Sequence, residues 1–233
     1  MITDVTGVLV GSHTTADGAV STVVLVPDGT TGAVDQRGGA SGSRETNLLE
    51  PENLVQRVDA VSLSGGGAFG LAAADGVVRW LSEHERGFPV GASPGDVVPI
   101  VPAATVHSAG KPDASAGYAA CEAAGSAGTE GASEIVGGFV VGALAMVAPR
   151  EVVGVVAVDA ALSKAECRRL AVSAHDGVVR AVRTPLDGTT IFVLATGERA
   201  LPPAEGRKGD AARAAALDVL CAASARVFER AVN

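Results

Sequence analysis

The stretch at residues 152–158 most constrains the fold, because every one of its residues is apolar or glycine. A strand with one solvated face alternates apolar and polar residues, whereas a strand covered on both faces reads as a continuous apolar run. Residues 135–147 have the same character and also predict a strand. The chain must therefore cover both faces of a sheet, and a two-layer or four-layer α/β stack fits the order of its predicted elements.

Local signals predict further elements along the chain. Additional strands are predicted at residues 23–27, 32–35, 59–64, 97–101, 103–106 and 190–195. Because Asp28-Gly29 favours a turn, we expect the first two of these strands to form a hairpin. Helices are predicted at residues 69–84, 114–124 and 210–232, and a capping box of Ser163 and Glu166 predicts one more. The sequence contains no internal repeat and no linker, so residues 1–233 are expected to form a single domain.

The interior has to be built from small side chains. Apolar residues make up 47% of the chain, but aromatic residues only 3%. Ala, Val and Leu must therefore fill the core, and glycine allows backbones to approach each other closely.

Charge and composition exclude several classes of function. The net charge of −8 disfavours nucleic-acid binding, which needs clustered Lys and Arg. No apolar stretch approaches the roughly 20 residues that span a bilayer, and the N-terminus lacks an export signal, so no membrane association is expected. Three separated cysteines are typical of buried thiols in a reducing cytoplasm. We therefore expect a cytoplasmic protein. No His, Asp or Glu cluster has metal-ligand spacing and no phosphate-binding loop is present, so we also expect no metal or cofactor.

Three blocks of the sequence share a likeness with one enzyme family. They are ITDVTGVLVGSHT at residues 2–14, GAVDQRGGASGSRETNLLEPENLVQRVDAVSLSGGGAFGLAAADGVVRWL at 32–81, and the stretch 154–188 that ends in TPLDG. With VVPIVPAATV and DASAGYAAC, they resemble the DmpA-type L-aminopeptidase/D-esterase family, which includes β-aminopeptidases and nylon-oligomer hydrolases. The resemblance implies a four-layer αββα sandwich similar to N-terminal-nucleophile hydrolases. It also implies amidase or aminopeptidase activity after self-cleavage before a Ser or Thr, and a symmetric homo-oligomer.

Several positions depart from the family's pattern. Glu151, preceded by Arg150, stands where the family carries its nucleophile. Ala148 replaces the Asn that helps form the oxyanion hole, and only Asp187 remains of the family's acidic pair. Glycine-rich segments after GYAAC and before the nucleophile position are mostly absent. Loss of a nucleophile costs about a million-fold in turnover and loss of one oxyanion donor roughly 100–1000-fold, so these departures argue against amide hydrolysis.

The candidate catalytic residues are Glu151, Tyr118 and Asp187. A carboxylate such as Glu151 at the mouth of a cleft can act as a general acid or base, although a solvated Glu beside Arg150 is the alternative. Tyr118 is retained from the family's motif and either donates to a substrate carbonyl or is a core aromatic with a satisfied hydroxyl. Asp187 lies in Pro-Leu-Asp-Gly, which is also a turn sequence.

The candidate substrate-binding residues are Arg37, Gly66, Gly67, His107 and Thr189. Arg37, together with Arg44, suits a carboxylate, or Arg44 and Glu45 fix this loop through internal ion pairs. Gly66 and Gly67 precede a helix, so their amides suit an anion, although close strand–helix packing explains the glycines equally well. His107 follows a strand and is a candidate proton shuttle, or a solvated loop histidine.

Three functional hypotheses follow. In the first, the chain is an unprocessed pseudoenzyme with a binding or assembly role, for which a small-molecule ligand or amide-like substrate is the expected partner. In the second, the old cleft has become an acid–base isomerase, cyclase or lyase that uses the three candidate catalytic residues. In the third, the chain is a self-processing amidohydrolase with an unrecognised nucleophile, for which the Gly128-Thr129 and Gly188-Thr189 bonds are candidate cleavage points.

Overall fold

The computed structural model describes residues 1–40, 42–126, 131–183 and 186–233. In chain order its strands are β1 (Leu9–Thr14), β2 (Val20–Leu25), β3 (Thr31–Gly38), β4 (Gly42–Arg44), β5 (Ala60–Ser64), β6 (Phe88–Pro89), β7 (Val97–Val98), β8 (Ala103–Thr105), β9 (Ala132–Val136), β10 (Phe139–Ala148), β11 (Glu151–Ala161) and β12 (Gly188–Ala200). The α-helices are α1 (Ala73–Glu83), α2 (Ala114–Glu122), α3 (Lys164–Ala181) and α4 (Gly206–Val232). Short 3-10 helices lie at Ile2–Asp4, Thr46–Leu49 and Gly67–Ala72.

The strands build two sheets that pack face to face. One sheet has the order β1-β2-β5-β8-β4, the other has the order β3-β12-β11-β10-β9, and β6 pairs with β7. Helices α1 and α2 pack on the outer face of the first sheet, and α3 and α4 pack on the outer face of the second. This is the four-layer αββα sandwich that the family resemblance implies, so that expectation is confirmed and the two-layer alternative is wrong.

Strand β11 is buried on both faces, as its sequence predicts. Val153 and Val155 face the core between the two sheets, whereas Val152 and Val156 face α3 and α4. The alternation follows from the two-residue period of a strand. Each fully buried valine contributes about 1.5–3 kcal/mol relative to an exposed one, so β11 anchors both sheets and the outer helices together.

Two helix starts predicted from the sequence are confirmed. At the start of α2, Asp113 Oδ1 accepts a hydrogen bond from the Ser115 amide at 2.8 Å. At the start of α3, Ser163 Oγ accepts from the Glu166 amide at 3.3 Å, and the Glu166 carboxylate accepts from the Ser163 amide at 2.9 Å. These bonds satisfy amides that the first turn of a helix leaves without an intrahelical acceptor.

The hairpin predicted around Asp28-Gly29 is wrong. Strand β2 pairs on one edge with β1 and on the other with β5, so both of its edges are occupied. Strand β3 pairs instead with β12 in the second sheet. The turn therefore carries the chain from one sheet to the other, and the local turn signal does not contain this long-range choice.

Several predicted elements have different bounds in the structure, and two of these differences change the local path of the chain. The stretch 135–147, predicted as one strand, is divided between β9 and β10, because Gly137 and Gly138 adopt φ of 56° and 84° and turn the chain. The helix predicted at 69–84 begins later, because Phe69 lies in the preceding 3-10 turn, where it is 59% exposed.

The cysteines and the helices bear on two expectations from composition. The three cysteines are free and buried, as predicted. Burial raises the pKa of Cys121 to about 12 and also raises the pKa of Cys167 and of Cys221, which disfavours the reactive thiolate. Within the described part of the chain, no helix combines the length and the apolar character needed to cross a membrane.

Candidate functional site

The turn between β10 and β11 places two residues that differ from the family pattern opposite each other. Ala148 and Glu151 are direct partners across the antiparallel strands, and Pro149 and Arg150 form the two-residue turn that joins them. Glu151 lies two residues before Val153, so its side chain is on the face of β11 that looks toward the other sheet. The expected nucleophile position therefore lies at the mouth of the cleft between the sheets.

The Glu151 carboxylate is held by the segment that follows β8. Its Oε2 accepts a hydrogen bond from the backbone amide of His107. Both residues line a cavity of about 400 Å³, which we call the Glu151 cavity. The described residues around it are Ala40, His107, Ala148, Pro149, Arg150, Glu151 and Asp187.

Asp187 closes one side of the Glu151 cavity. Its carboxylate lies 2.6 Å from the Arg150 guanidinium, and its amide donates to the Arg150 carbonyl at 2.7 Å. Its own carbonyl accepts from the amides of Gly39 and Ala40 at 2.9 and 3.1 Å. Because both charged side chains are exposed to solvent, the ion pair contributes at most about 1 kcal/mol to stability. Asp187 thus forms a turn, and its carboxylate also reaches the cavity.

The cleft continues along β10 beyond the Glu151 cavity. A neighbouring cavity of about 430 Å³ lies between the sheets, with Val106 and Ser108 on one side and Met146 and Val147 on the other. Its wall is mainly apolar. The cleft therefore offers a charged mouth at Glu151 and an apolar interior.

Tyr118 lies apart from the Glu151 cavity. It is on α2, in the outer helix layer, where its hydroxyl donates to Glu83 Oε2 at 2.7 Å. The Arg79 guanidinium lies 4.9 Å from the centre of the tyrosine ring. The hydrogen bond to Glu83 raises the pKa of Tyr118. The structure thus brings Glu151 and Asp187 together, but it places Tyr118 at a different surface.

The amides of Gly66 and Gly67 have acceptors within the protein. Gly66 donates to Ser108 Oγ at 3.0 Å, and Gly67 donates to the Val106 carbonyl at 3.0 Å. Both glycines have left-handed φ values of 84° and 58°, which suit glycine in a turn. Anion binding by these amides would require them to give up these bonds.

Arg37 and Thr189 lie on the other side of the second sheet, beneath α3. They border a separate cavity of about 380 Å³. Thr189 Oγ1 lies 3.1 Å from His175 Nδ1, and His175 Nε2 lies 3.1 Å from Asp35 Oδ2. Arg37 Nε donates to the same Asp35 oxygen at 2.8 Å. The predicted substrate-binding residues therefore divide between separate places.

The two Gly-Thr bonds differ in what the structure shows of them. The Gly188–Thr189 bond is part of β12, where Gly188 pairs with both Glu151 and Gly38. The Gly128–Thr129 bond lies outside the described residues. In the described ranges, no three His, Cys, Asp or Glu side chains come together in a way that could hold a metal ion.

A family model accounts for the full length of the sequence. Residues 1–146 and residues 135–233 each match the model described as peptidase family S58. The chain belongs to peptidase family S58. The resemblance to DmpA-type enzymes, predicted from the sequence blocks, is thereby confirmed.

Relatives of this S58 chain occur in mycobacteria. The chain is 40% identical over 291 residues to an uncharacterized aminopeptidase of Mycobacterium tuberculosis, covering 88% of this chain and 84% of the relative. An uncharacterized aminopeptidase of Mycobacterium leprae is 39% identical over 286 residues, covering 84% of this chain and 78% of the relative. Because 291 aligned positions exceed the 233 residues of this chain, at least 58 of them have no counterpart here. This difference agrees with the shortening inferred from the sequence.

Solved structures share the S58 fold at low sequence identity. A Burkholderia sp. β-aminopeptidase superposes with a TM-score of 0.72 at 18% identity, covering 99% of this chain and 84% of that one. The L-aminopeptidase D-Ala-esterase/amidase of Ochrobactrum anthropi superposes with a TM-score of 0.70 at 16% identity, with the same coverage of 99% and 84%. The latter is described as a new variant among the Ntn hydrolase fold. At these identities the likeness shows the fold, which agrees with the αββα layers described above.

Two residues, one beside each cavity, were not among the candidate site residues selected from the sequence. Arg150 pairs with Asp187, 37 positions away in the chain, so no local pattern indicates the contact. Asp35 binds both Arg37 and His175. The predicted strand ends at residue 35 and leaves Arg37 outside it, whereas β3 extends to Gly38, so that Asp35 and Arg37 share one of its faces.

Proposed function

We propose that this S58-family chain is not self-cleaved, has no aminopeptidase or amidase activity, and binds an amide-like small molecule in the Glu151 cavity. The observation that carries the proposal is the chemistry of the cavity wall. Among the described residues of that wall, the charged and titratable groups are two carboxylates, an imidazole and a guanidinium, and none of these residues carries a hydroxyl or a thiol. Covalent catalysis of the kind implied by the family needs such a nucleophile beside a base.

The hairpin around Glu151 supports the absence of self-cleavage. Self-cleavage of the family's kind requires a hydroxyl on residue 151 that attacks the carbonyl carbon of Arg150. Glu151 has no hydroxyl, and one of its carboxylate oxygens accepts from the His107 amide. Ala148, directly across the hairpin, has no side-chain donor for an oxyanion. The missing nucleophile at position 151 lowers the rate roughly a million-fold, and the missing oxyanion donor at position 148 lowers it roughly 100–1000-fold.

The size and charge of the cleft support a small ligand with a free amine. A volume of about 400 Å³ is in the range of small-molecule sites. The Glu151 carboxylate suits an ammonium group, whereas Asp187 is paired with Arg150, and the apolar cavity beyond them suits a side chain. The mycobacterial relatives are named aminopeptidases, whose substrates carry such an amine. A cytoplasmic location and a symmetric homo-oligomer remain predictions.

Intact mass tests the absence of self-cleavage. Because no hydroxyl is available at position 151, we expect one species of 23.0 kDa after prolonged incubation at neutral pH, measured by mass spectrometry under denaturing conditions. Two fragments separated before residue 151 would show that the proposal is wrong. Hydrolysis of aminoacyl p-nitroanilides provides the second measurement, with Glu151→Ala as the matched control. Turnover by the wild type that Glu151→Ala lacks would also contradict the proposal.

A second candidate function, acid–base catalysis without a covalent intermediate, is favoured by one observation. His107, Glu151 and Asp187, which are three titratable residues, line the same cavity. Such groups can move a proton to and from a bound substrate and typically contribute about 100–10,000-fold in rate. Tyr118 lies at another surface, so this version of the hypothesis uses Glu151 and Asp187 without it.

Proton exchange distinguishes the two candidates. For the proposed binding role, aminoacyl amides incubated with the protein in D2O should gain no deuterium at carbon beyond the rate without protein, as measured by mass spectrometry. Incorporation that falls at least about 100-fold in Glu151→Gln and persists in Tyr118→Phe would favour acid–base catalysis instead. The Tyr118→Phe variant is the matched control, because Tyr118 contacts Glu83 in the outer helix layer.

A further inference from the structure

The cavity beneath α3 is lined by positively charged residues, although the chain as a whole is acidic. It lies between the C-terminal half of α3 and strands β3 and β12, and we call it the α3 cavity. Its described lining contains Arg37 and Arg183 but no carboxylate, although the whole chain has a net charge of −8. A concave surface with two guanidinium groups attracts anions. The local charge therefore differs in sign from that of the molecule.

Asp35, an acidic residue that contacts this lining, is already engaged by it. Asp35 accepts from Arg37 Nε at 2.8 Å and lies 3.1 Å from His175 Nε2, behind the cavity wall. Burial and the charge of Arg37 lower the pKa of His175, although Asp35 and Asp176 act in the opposite direction. Asp176 is exposed and is not part of the described lining. Positive charge thus remains on the cavity side.

Arg183 supplies that charge at the mouth. It is exposed, and no hydrogen bond or ion pair joins it to any other residue that the structure describes. Arg37 also borders the cavity, and its Nη2 donates to the Val172 carbonyl at 3.3 Å. Guanidinium groups present paired N–H donors that match the two oxygens of a carboxylate.

Aliphatic residues form one part of the wall of the α3 cavity. They are Val178, Val179, Val182 and Leu186, and the described lining also includes His175, Thr189 and two glycines. Val179 is 74% exposed, which leaves an apolar surface at the rim without protein contacts over most of its area. A cavity of about 380 Å³ that combines an apolar wall with a few polar groups has the composition of a small-molecule site.

The α3 cavity is separate from the Glu151 cavity. Thr189 is paired with Val152 in the parallel register, and both side chains lie on the α3 face of the second sheet. Glu151 lies on the opposite face of the same sheet, toward the cleft between the sheets. A ligand beneath α3 therefore does not contact Glu151.

We propose that the α3 cavity is a second binding site, for a small aliphatic carboxylate. Arg183 and Arg37 hold the carboxylate, and the valines of α3 with Leu186 cover the aliphatic tail. The chemical class follows from the two ends of the site, since neither a purely polar anion nor an aliphatic amine would satisfy both. This site is independent of the proposed function of the Glu151 cavity.

Titration with sodium hexanoate, followed by amide chemical shifts in NMR spectra, tests this proposal. We expect saturable shifts in the C-terminal half of α3 with a dissociation constant on the order of 1 mM, as suits a ligand of this size. Hexylamine, which has the same tail and the opposite charge, should bind at least about 10-fold more weakly. Arg183→Gln and Val179→Asp should each weaken hexanoate binding at least about 10-fold.

The matched control is Arg207→Gln, which removes an exposed arginine of α4 that is not part of the cavity lining. It should bind hexanoate like the wild type. Because Arg183, Val179 and Arg207 are exposed, these variants are expected to fold, and their thermal unfolding verifies this. Equal binding of hexanoate and hexylamine, unchanged binding by Arg183→Gln, or shifts confined to Glu151 and His107 would each overturn the proposal.

Discussion

Replacing Gly76 with alanine is expected to lower the free energy of unfolding by about 3 kcal/mol. In an isolated helix the same change would stabilise by about 1 kcal/mol, because alanine has the better helix propensity. Here an added Cβ would overlap the carbonyl oxygen of Ala114 and lie 2.7 Å from the amide nitrogen of Tyr118. Both atoms belong to the backbone of α2. Helices α1 and α2 must therefore separate, and the lost packing outweighs the gain in propensity.

Urea unfolding of the variant and the wild type measures this effect. Gly95→Ala is the matched control, because a Cβ added there meets no atom within 4 Å, and its free energy of unfolding should change by no more than about 0.5 kcal/mol. Gly177→Ala should repeat the loss at the contact of α3 with α4, since its Cβ would overlap the Ala225 carbonyl. Stabilisation of Gly76→Ala by about 1 kcal/mol would show that the two helices do not meet at this position.

Lys164→Met is expected to lower the free energy of unfolding by about 2–4 kcal/mol. Lys164 is 4% exposed, and its Nζ donates to the carbonyls of Leu48, Glu50 and Val55 at 3.0, 2.5 and 2.8 Å. Methionine keeps much of the apolar packing of the side chain but offers no donor. The three carbonyls are backbone groups in partly buried surroundings, so the substitution leaves each of them without this partner.

The desolvation of the lysine works against this loss. Burial lowers the pKa of Lys164, because transfer of the charged ammonium from water is unfavourable. Part of the energy of its three hydrogen bonds offsets this transfer cost. We still expect a net loss, because an unpaired buried carbonyl itself costs about 1–3 kcal/mol. Guanidinium chloride unfolding provides the measurement, and Lys208→Met, at an exposed position of α4, is the control. Equal stability of the two variants would contradict the role assigned to Lys164.

Much of the layered fold could be predicted because its signals are local. The uninterrupted apolar run in β11 predicts burial on both faces, and the Ser163–Glu166 capping box predicts the start of α3. The family resemblance supplied the four layers. The hairpin at Asp28-Gly29 was wrong because a turn sequence does not specify which sheet receives the next strand. That choice depends on β1 and β5, which occupy both edges of β2.

The candidate site was predicted less completely, because its contacts are long-range. Glu151 and Asp187 were predicted individually, and the structure places both at one cavity. Tyr118 was grouped with them on the strength of the family motif, yet its hydroxyl donates to Glu83 on α1. Arg150 and Asp35 were not selected, since their charged partners are decided by how strands and turns pack.

The sequence by itself determined the family, the burial of β11 on both faces and the identity of the residue at the expected nucleophile position. These properties reside in residue types and short spacings. Only the tertiary structure decided which side chains share a cavity, because neighbouring residues on a strand face opposite layers. Glu151 faces the cleft between the sheets, whereas Thr189, whose neighbour Gly188 pairs with Glu151, faces α3 with His175 and Arg37. The α3 cavity and its proposed carboxylate ligand depend on this placement of neighbouring residues on opposite faces of the sheet.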